Sequence, residues 1–430
     1  MHKITIGLIG FGTVGSGVVE LLQKRKNFIK NRFNTEFVIK TVCDLEIKKR
    51  DTTGLNKTLL TTNINDVVDD KDIDVVIELI GGLSPAKDIV VNSLNNGKHV
   101  VTANKALISN YGKELFKIAQ KNKCHLYFES SVGAGIPIIK SITEGLVGNK
   151  FNAVYGIING TCNFILSEMT EKNFSFEDAL KEAQRLGYAE SDPTLDINGM
   201  DSAHKLAILA QLTFGKFLNV KDIYTEGITQ ISHDDIEYAK SLNLTIKLLA
   251  IAKKHNNKIE ARVHPTLISN NHPLASINSV YNAVYLDADP LGKILLSGEG
   301  AGRMAAASGV VSDLINYASK GADRRLICNL YDENTKLRLG SIDDVETKFY
   351  IRFLAGDKPG VLSKISGILG KQGISINSVT QKVHNKTSSV PVVMLTDYTS
   401  EKKLRIALKM IKKLSTVKGT PVAIRMEKLW

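Results

Sequence analysis

Residues 3–15 read KITIGLIGFGTVG, a short apolar run rich in β-branched residues that leads directly into a glycine-rich turn. The turn Gly10-Phe11-Gly12-Thr13-Val14-Gly15 has the spacing GxGxxG, and residues 18–22 continue it with an apolar helical face. Glycines at this spacing let backbone N–H groups approach a pyrophosphate at the positive end of a helix. Because the motif lies between a strand and a helix, it predicts a dinucleotide-binding domain built on a parallel sheet.

The second strand, residues 36–42, ends at Cys43 and Asp44. An acid at the end of this strand accepts a hydrogen bond from the ribose 2′-hydroxyl of NAD and repels the 2′-phosphate of NADP. The basic cluster Lys48-Lys49-Arg50 follows it and is suited to bind that phosphate. The two signals oppose each other, so the sequence leaves both NAD and NADP open as cofactors.

Lys105 follows the end of a later strand. Strands at 74–80 and 98–102 continue the alternation, and Ala103-Asn104-Lys105-Ala106-Leu107 comes after the second of them. In an open parallel sheet, residues just past the carboxyl ends of the strands face the ligand crevice. A cation is less favoured than an anion at a helix N-terminus, so a functional role for Lys105 is favoured over a surface role.

The pattern changes after this sheet. A strand at 124–129 leads into a glycine-rich connection at 130–137, which is suited to present backbone carbonyls or to pack on a cofactor. A strand at 151–158 then leads through Asn159-Gly160-Thr161-Cys162-Asn163 into a helix. We predict a separate α+β domain as far as about residue 300, and a helix at 305–319 that returns to the first domain.

An acid-rich segment precedes a lysine in the second domain. Its charged residues are Glu190, Asp192, Asp196, Asp201 and Lys205. Proline and glycine predict a loop for its first part, and residues 201–212 have helical apolar spacing, which places Asp201 and Lys205 on one face. An exposed pair at this spacing is usually a solvated ion pair worth a few tenths of a kcal/mol. The mixture of acids with apolar residues, glycine and proline is instead typical of a polar pocket wall.

From residue 349 the order of elements is βαββαβ, with a polar turn at 384–389 and a last strand at 420–424. The sequence therefore predicts three domains. They are a nucleotide-binding domain (1–130 with 305–345), a substrate-binding and catalytic domain (131–304) and a small regulatory domain (349–430). Ligand sensing by the last domain is favoured, and dimerisation is the competing interpretation.

Composition excludes several classes of protein. The chain has 430 residues, of which 43% are hydrophobic and 23% charged, as in ordinary globular proteins. Residues 1–6 predict the start of a strand rather than a signal peptide, and no run of about eighteen uncharged apolar residues is found, so we expect a cytoplasmic protein. The net charge of +12 is interspersed with acids, so we expect no nucleic-acid partner but some attraction for anionic small molecules. The cysteines, Cys43, Cys124, Cys162 and Cys328, are too far apart to indicate a zinc or disulfide framework.

Taken together, the motifs resemble homoserine dehydrogenase in its longer form, which has a C-terminal ACT regulatory domain. The resemblance covers nearly the whole chain and is carried by residues 10–15, 103–107, 156–166 (GIINGTCNFIL), 187–205, 300–302 and 357–362 (DKPGVL). It implies an α/β fold with a Rossmann-type doubly wound parallel sheet, an α+β substrate and dimerisation domain, and a βαββαβ ACT domain. It also implies a homodimer or homotetramer, with L-threonine as a candidate effector of the ACT domain.

The implied reaction is the NAD(P)-dependent interconversion of L-aspartate 4-semialdehyde and L-homoserine, in the route to threonine, methionine and isoleucine. Lys205 matches the proton donor, assisted by Lys105 and Asp201. The remaining matches are substrate contacts at Glu190, Asp201, Asp196, Gly160 and Thr161; cofactor contacts at Phe11, Thr13, Val14, Gly187 and Gly302; and a monovalent cation site, expected to hold Na⁺, at the main-chain carbonyls of Glu129, Val132, Ala134 and Ile136. The candidate cofactor residues also include Gly10, Gly12 and Gly15 of the glycine-rich turn, Arg50 of the basic cluster, and Lys105.

The residue types fit this chemistry independently. Reduction of an aldehyde builds negative charge on its oxygen, and a protonated lysine both stabilises that charge and supplies the proton. The ammonium group of the substrate needs a carboxylate partner, which Glu190 or Asp201 can provide.

The chain departs from the family pattern at three places. Cys43 stands where an arginine often holds the 2′-phosphate, which weakens the case for NADP. Residues 303–308 (RMAAAS) replace the usual Pro-Thr-Ala-Ser after Gly302, and Asp397-Tyr398 replaces a Thr-His neighbourhood in the last domain.

Two other functions compete with this interpretation. One is a thiol-dependent semialdehyde dehydrogenase with Cys162 as nucleophile, for which His204 is the nearby candidate base. The other is a non-enzymatic, amino-acid-sensing regulator that has kept a nucleotide-binding fold. The presence of both lysines and the substrate acids argues against the regulator.

Overall fold

The structure is a computed structural model that describes residues 1–55, 58–320, 335–381 and 389–428. Cys328 and residues 384–388 of the predicted polar turn lie outside the described residues. Within these ranges the strands are β1 (His2–Ile9), β2 (Thr35–Cys43), β3 (Leu59–Thr61), β4 (Val75–Glu78), β5 (His99–Thr102), β6 (Leu126–Tyr127), β7 (Lys150–Ile157), β8 (Tyr224–Thr225), β9 (Leu244–His255), β10 (Lys258–Ser269), β11 (Tyr281–Asp289), β12 (Gly292–Glu299), β13 (Arg338–Leu339), β14 (Glu346–Gly356), β15 (Ile376–Gln381), β16 (Ser389–Thr396), β17 (Thr399–Ser400) and β18 (Val417–Met426).

The helices of the same ranges are α1 (Thr13–Lys24), α2 (Lys26–Phe33), α3 (Asn65–Val68), α4 (Ala86–Asn95), α5 (Lys105–Lys121), α6 (Ile138–Lys140), α7 (Gly160–Glu171), α8 (Phe176–Arg185), α9 (Thr194–Ile197), α10 (Met200–Phe214), α11 (His233–Ser241), α12 (Arg303–Lys320), α13 (Val361–Lys371) and α14 (Glu401–Lys412). The strands and helices together form two compact units. The first unit comprises Met1–Ile158, Ser202–Ile223 and Val280–Lys336, and the second comprises Asn159–Asp201, Tyr224–Ser279 and Leu337–Trp430.

The first unit contains a parallel sheet with the strand order β3-β2-β1-β4-β5-β6. The central strands β4 and β5 are buried along their whole length, as expected for a parallel sheet covered by helices on both faces. This is the Rossmann-type order predicted from the glycine-rich turn and the alternating strands and helices. A smaller antiparallel ribbon, β7-β11-β12, belongs to the same unit.

Helix α12 packs against α1, although the two are far apart in the sequence. One hydrophobic core contains Val18, Val19 and Leu22 of α1 together with Ala307, Val310, Val311 and Leu314 of α12. A Cβ atom on Gly17 would lie 2.9 Å from the carbonyl oxygen of Arg303, so only glycine permits this close approach. Arg303 also pairs with Glu20 at 2.7 Å. The late helix therefore completes the core of the nucleotide-binding unit.

The second unit contains a sheet with the order β9-β10-β18-β14-β16-β15. Its last four strands, with α13 and α14, form the βαββαβ arrangement predicted for the C-terminal domain (residues 346–428). Both helices bury apolar faces in a single core with these strands. Strand β18 also pairs in parallel with β10, with Arg425 opposite Thr266. The strands of the C-terminal domain therefore form one continuous sheet with β9 and β10.

Two local predictions are corrected. The predicted strand at 124–129 is limited to Leu126–Tyr127, because the backbone turns at Phe128 into a single 3₁₀ turn over Glu129–Ser131. The predicted loop before α10 contains the short helix α9. Asp192 initiates it by accepting hydrogen bonds from the Thr194 backbone and hydroxyl at 3.1 and 2.5 Å.

Candidate active site

Asp44 holds the glycine-rich turn in place. Its carboxylate accepts hydrogen bonds from the backbone N–H groups of Phe11 at 2.7 Å and Glu46 at 2.8 Å. Gly10, whose φ of +98° suits only glycine, donates its N–H to the carbonyl of Cys43. The acid predicted to face the ribose therefore has both carboxylate oxygens engaged by the backbone of the loops that border the turn.

A cleft of 480 Å³ opens beside this turn. Its lining includes the predicted cofactor residues Phe11, Gly12, Thr13 and Arg50. It also includes Arg303, which was not among the predicted cofactor residues. A Cβ on Gly12 would have no atom within 4 Å, so the turn leaves open space there. Glycine-lined backbone at the start of α1 and arginines in the wall fit the phosphates of a dinucleotide.

Cys43 does not line this cleft as a phosphate-binding residue would. Its side chain is buried, and burial raises the pKa of its thiol to about 11. Arg50 occupies the cleft wall instead, with its guanidinium 3.7 Å from Asp44 and 3.4 Å from Glu46. These separations are longer than strong hydrogen bonds, and the five N–H donors of an arginine leave capacity for a further anion.

Lys105 is the first residue of α5, and its position is fixed by the residue before it. Asn104 caps the helix by accepting from the N–H of Leu107 at 3.0 Å, and its amide donates to the carbonyl of Gly82 at 2.7 Å. The cap thus joins the loops that follow β4 and β5. Lys105 therefore lies at the carboxyl end of the parallel sheet, as predicted.

A buried acid reinforces the same loops. Glu78, the last residue of β4, accepts from the hydroxyl of Thr102 at 2.7 Å and from the N–H of Ile80 at 2.9 Å. The hydroxyl of Thr102 in turn accepts from the N–H of Asn104 at 2.9 Å. Burial raises the pKa of Glu78, so these donors are needed to support its ionised form. These hydrogen bonds fix the backbone that immediately precedes Lys105.

Helices α5 and α10 are joined by a hydrogen bond between Ser109 and His204, with Oγ and Nδ1 2.7 Å apart. Ser109 lies one helical turn after Lys105, and His204 directly precedes Lys205. Lys205 is only 9% exposed, and its Nζ donates to the carbonyl of Ile158 at 2.7 Å. Sequence reasoning had considered His204 only as a base for Cys162, and it missed Ser109 because the two residues are 95 positions apart.

Asn159 brings two of the predicted substrate acids together in the second unit. Its side-chain amide donates to Asp196 at 2.7 Å and to Asp201 at 2.9 Å, while its oxygen caps α7 by accepting from the N–H of Cys162. Asp201 is 6% exposed. Asn159 was not among the predicted site residues, although its position before α7 is typical of an N-cap. One amide therefore concentrates two carboxylates beside Gly160 and Thr161.

The rest of the acid-rich loop (residues 187–201) is more open. The hydroxyl of Thr161 donates to the carbonyl of Tyr188 at 2.6 Å, which fixes the start of the loop. Glu190 is exposed, and its backbone carbonyl accepts from the amide of Gln184. Gly187 has a φ of +75° and makes the turn that ends α8. Of the predicted substrate acids, Asp196 and Asp201 are thus bridged by Asn159, whereas Glu190 points outward from the loop.

Cys162 is buried, and its thiol donates to the carbonyl of Asp196 at 3.2 Å. A thiol that donates to a carbonyl is held in its protonated form, which is not the nucleophile. Cys43 and Cys124 are buried as well. This arrangement does not favour the thiol-dependent alternative.

The predicted cation segment lies in the first unit. Glu129, Val132, Ala134 and Ile136 are buried, in a stretch that is not part of any sheet. The Glu129 carboxylate accepts from the N–H groups of Ile139 and Lys140 at 2.8 and 2.9 Å, and burial raises its pKa. Among the described residues no cluster of three or more His, Cys, Asp or Glu side chains could hold a metal, so a cation here would depend on backbone carbonyls.

Asp313 of α12 makes polar contacts with Glu129 and Lys140 in the same part of the chain. It accepts from the N–H of Glu129 at 2.9 Å, and Lys140 lies 3.7 Å from its second oxygen. Burial raises the pKa of Asp313 to about 7. The segment is therefore held by polar contacts at both ends.

None of the helices in the described ranges has the length and apolar character required to cross a membrane.

Comparison with known proteins identifies the family. Sequence profiles match for "Homoserine dehydrogenase, NAD binding domain" at residues 10–129, "Homoserine dehydrogenase" at 137–315 and "ACT domain" at 349–414. The homoserine dehydrogenase of Neisseria gonorrhoeae is 41% identical over 434 residues, and the alignment covers 100% of both chains.

Solved structures agree with the sequence comparison. A homoserine dehydrogenase from Thiobacillus denitrificans has a TM-score of 0.92 and 42% identity, covering 99% of each chain. A hyperthermophilic archaeal homoserine dehydrogenase in complex with NADPH has a TM-score of 0.63 and 29% identity, covering 73% of this chain and 97% of that one. The resemblance found in the sequence is confirmed: the chain belongs to the homoserine dehydrogenase family of NAD(P)-dependent oxidoreductases.

Proposed function

We propose that the chain reduces L-aspartate 4-semialdehyde to L-homoserine, reversibly, with Lys205 as the proton donor. The observation that carries this proposal is the amide of Asn159, which holds the carboxylates of Asp196 and Asp201 together. Lys205 follows Asp201 by one turn of α10. Steady-state rates with L-aspartate 4-semialdehyde and each of NADH and NADPH test the proposed reaction directly.

The residues divide the work by charge. The paired carboxylates of Asp196 and Asp201 attract the ammonium group of the amino-acid substrate, and Glu190 adds a third, more exposed carboxylate. Lys205 donates a proton to the aldehyde oxygen as charge develops there, and Lys105 adds a second cation that favours the developing anion. The bound NAD(P)H supplies the hydride. In the reverse direction Lys205 accepts the proton of the homoserine hydroxyl.

The cleft beside the glycine-rich turn supports NADP(H) as the preferred cofactor. Asp44 has its oxygens engaged by the backbone N–H groups of Phe11 and Glu46, which reduces its role as a ribose acceptor. Arg50 and Arg303 both line the cleft, together with the acids Glu20 and Asp51. We infer that the Arg50 guanidinium takes the place that an arginine at position 43 often has and binds the 2′-phosphate.

Replacing Arg50 with alanine should therefore raise the KM for NADPH about tenfold, the lower end of the loss expected for a hydrogen bond to a charged group. The KM for NADH, which lacks the phosphate, should stay within about twofold because no such bond is lost. Lys49→Ala is a matched control, since its exposed ammonium pairs with Glu46 at 2.8 Å. An equal loss for both cofactors would contradict a phosphate-specific role.

We further propose that the carbonyls of Glu129, Val132, Ala134 and Ile136 bind a monovalent cation, with Na⁺ the expected ion. The four residues are buried in backbone that belongs to no sheet. The carbonyls of Glu129 and Ile136 already accept from the N–H groups of Val132 and Ile138 at 3.5 and 2.7 Å, but a carbonyl oxygen has two lone pairs and retains one for an ion. An ion that binds only the folded state stabilises it by a free energy that grows with the logarithm of the ion concentration once that concentration exceeds Kd. We expect Tm to be lower in choline chloride than in NaCl at equal ionic strength, and an identical Tm in both salts would argue against the site.

The C-terminal domain supports control by a small ligand, since it matches the ACT family of domains. We infer that the effector is an amino acid, with L-threonine the first candidate, and that the enzyme works as a homodimer or homotetramer. Activity that does not change at millimolar L-threonine would remove that effector, and light scattering would give the assembly state.

A further inference from the structure

Arg425, on β18 of the C-terminal domain, is the centre of a buried polar cluster. It is 4% exposed, and its guanidinium donates to both oxygens of Glu401 at 2.7 and 2.9 Å. The same guanidinium donates to Glu226 at 2.8 Å and to the hydroxyl of Tyr224 at 3.0 Å. A buried cation is tolerated only when it is paired and hydrogen-bonded, and Arg425 meets both conditions.

Two of these partners, Tyr224 and Glu226, lie outside the C-terminal domain, in the segment Tyr224–Ser279 of the second unit. Tyr224 is the first residue of β8, and its hydroxyl donates to Glu226 at 2.9 Å. Burial raises the pKa of the Tyr224 phenol, so it remains a hydrogen-bond donor. The Glu226 N–H donates to the carbonyl of Val263 at 2.8 Å, which extends the pairing of β8 with β10. Arg425 thus fixes the segment that follows β8.

That segment is in direct contact with the acid-rich loop. The N–H of Ile228 donates to the carbonyl of Ile197 at 2.9 Å. A Cβ on Gly227 would lie only 2.0 Å from the same carbonyl, and a Cβ on Gly199 would lie 3.0 Å from Thr225. At Gly227 the two backbones therefore touch without an intervening side chain, whereas at Gly199 the loop backbone contacts the side chain of Thr225. Because packed backbone has no soft side chain to absorb a shift, displacement of residues 225–228 must displace the loop.

Ile197 is the last residue of α9, and Asp196 precedes it. Asp196 in turn shares the amide of Asn159 with Asp201. Contacts consequently run without a break from Arg425 through Glu226 and the 225–228 segment to the two bridged carboxylates.

We propose that Arg425 and Glu226 are positioning residues for the amino-acid substrate, acting through the acid-rich loop. The inference rests on the proposed role of Asp196 and Asp201 in binding the substrate ammonium group. It makes the C-terminal domain a structural support of the substrate site in the absence of any effector.

The test is Glu226→Gln in the full-length enzyme. The amide keeps the size of the side chain but removes the charge that holds both Arg425 and the Tyr224 hydroxyl. We expect the KM for L-homoserine to rise about three- to tenfold, the range seen for coupling changes transmitted between sites. The KM for the cofactor should stay within about twofold, since the residues lining its cleft belong to the first unit.

Lys348→Met is the matched control. Lys348 lies in the same C-terminal domain and pairs with Asp397 at 3.2 Å, and its ammonium lies 5.4 Å from the centre of the Tyr398 ring, so this substitution removes a cation outside the Arg425 cluster. We expect its KM for L-homoserine to stay at the wild-type value. Arg425→Lys keeps the positive charge but replaces the guanidinium fork with a single ammonium group. We expect its KM for L-homoserine to lie between those of the wild type and Glu226→Gln. Thermal unfolding of each variant establishes that it is folded.

Two outcomes overturn the inference. One is a folded Glu226→Gln enzyme with wild-type KM for L-homoserine, and the other is an equal rise in Lys348→Met. If an Asp201→Asn enzyme raises this KM while Glu226→Gln does not, only the positioning role fails. If neither variant changes it, the proposed substrate role of the acids fails as well.

Discussion

We expect the Lys205→Ala enzyme to turn over at least ~100-fold more slowly than wild type, the usual loss when a general acid is removed. The alanine can neither supply the proton nor stabilise the charge that develops on the aldehyde oxygen. Cofactor affinity, measured by fluorescence titration with NADPH, should be unchanged, because the lining of the cofactor cleft does not include α10. Lys221→Ala, at an exposed lysine of the same unit, should retain full activity.

Two further measurements separate proton transfer from charge stabilisation. Lys205→Arg keeps a positive charge but does not release its proton near neutral pH, so it should remain slow if proton donation dominates. A small primary amine added to Lys205→Ala should restore part of kcat if the missing group is an amine. Near wild-type kcat in Lys205→Ala would refute the assigned role.

The second large effect is expected from Asp201→Asn. The KM for L-homoserine should rise about 10- to 100-fold, as expected for a lost hydrogen bond to a charged group, and the KM for the cofactor should not change. The substitution keeps an oxygen that can accept from Asn159, which donates to Asp201 at 2.9 Å. Loss of substrate binding would therefore report the missing charge and not a collapsed loop.

Asp192→Asn is the matched control for this experiment. It lies in the same acid-rich loop, is exposed, and bonds to the backbone and hydroxyl of Thr194. Its KM for L-homoserine should stay within about twofold of wild type, since surface substitutions usually have small effects. An equal rise in both variants would show a general effect of negative charge on the loop.

Features set by neighbouring residues could be predicted from the sequence. The strand, glycine-rich turn and helix of residues 3–24 depend on apolar spacing and on glycine conformations, and all are present. The same holds for α10, where Asp201 and Lys205 are four positions apart. The nucleotide-binding fold was predicted from the glycine spacing between a strand and a helix, and the family and its ACT domain were predicted from the resemblance of several motifs to a known family.

Features set by distant residues could not be predicted. Asp44 accepts from the N–H of Phe11, which lies 33 positions away, and no local pattern signals that hydrogen bond. Asn159 reaches acids 37 and 42 positions away, and no local period signals such a bridge. A pattern of hydrophobic residues identifies which face of an element is buried, but it does not identify the polar partner that each side chain meets.

The packing of α1 against α12 has a consequence for synthesis of the protein. Ser16 and Arg303, which meet at this contact, are 287 residues apart. At a translation rate of about 5–20 residues per second, the ribosome needs roughly 15–60 seconds to travel from one to the other. Throughout that interval the part of α1 that packs against α12 is uncovered, although the early strands can already cover the rest of its apolar side. The nascent chain therefore offers a binding surface to chaperones until residues 303–320 have emerged.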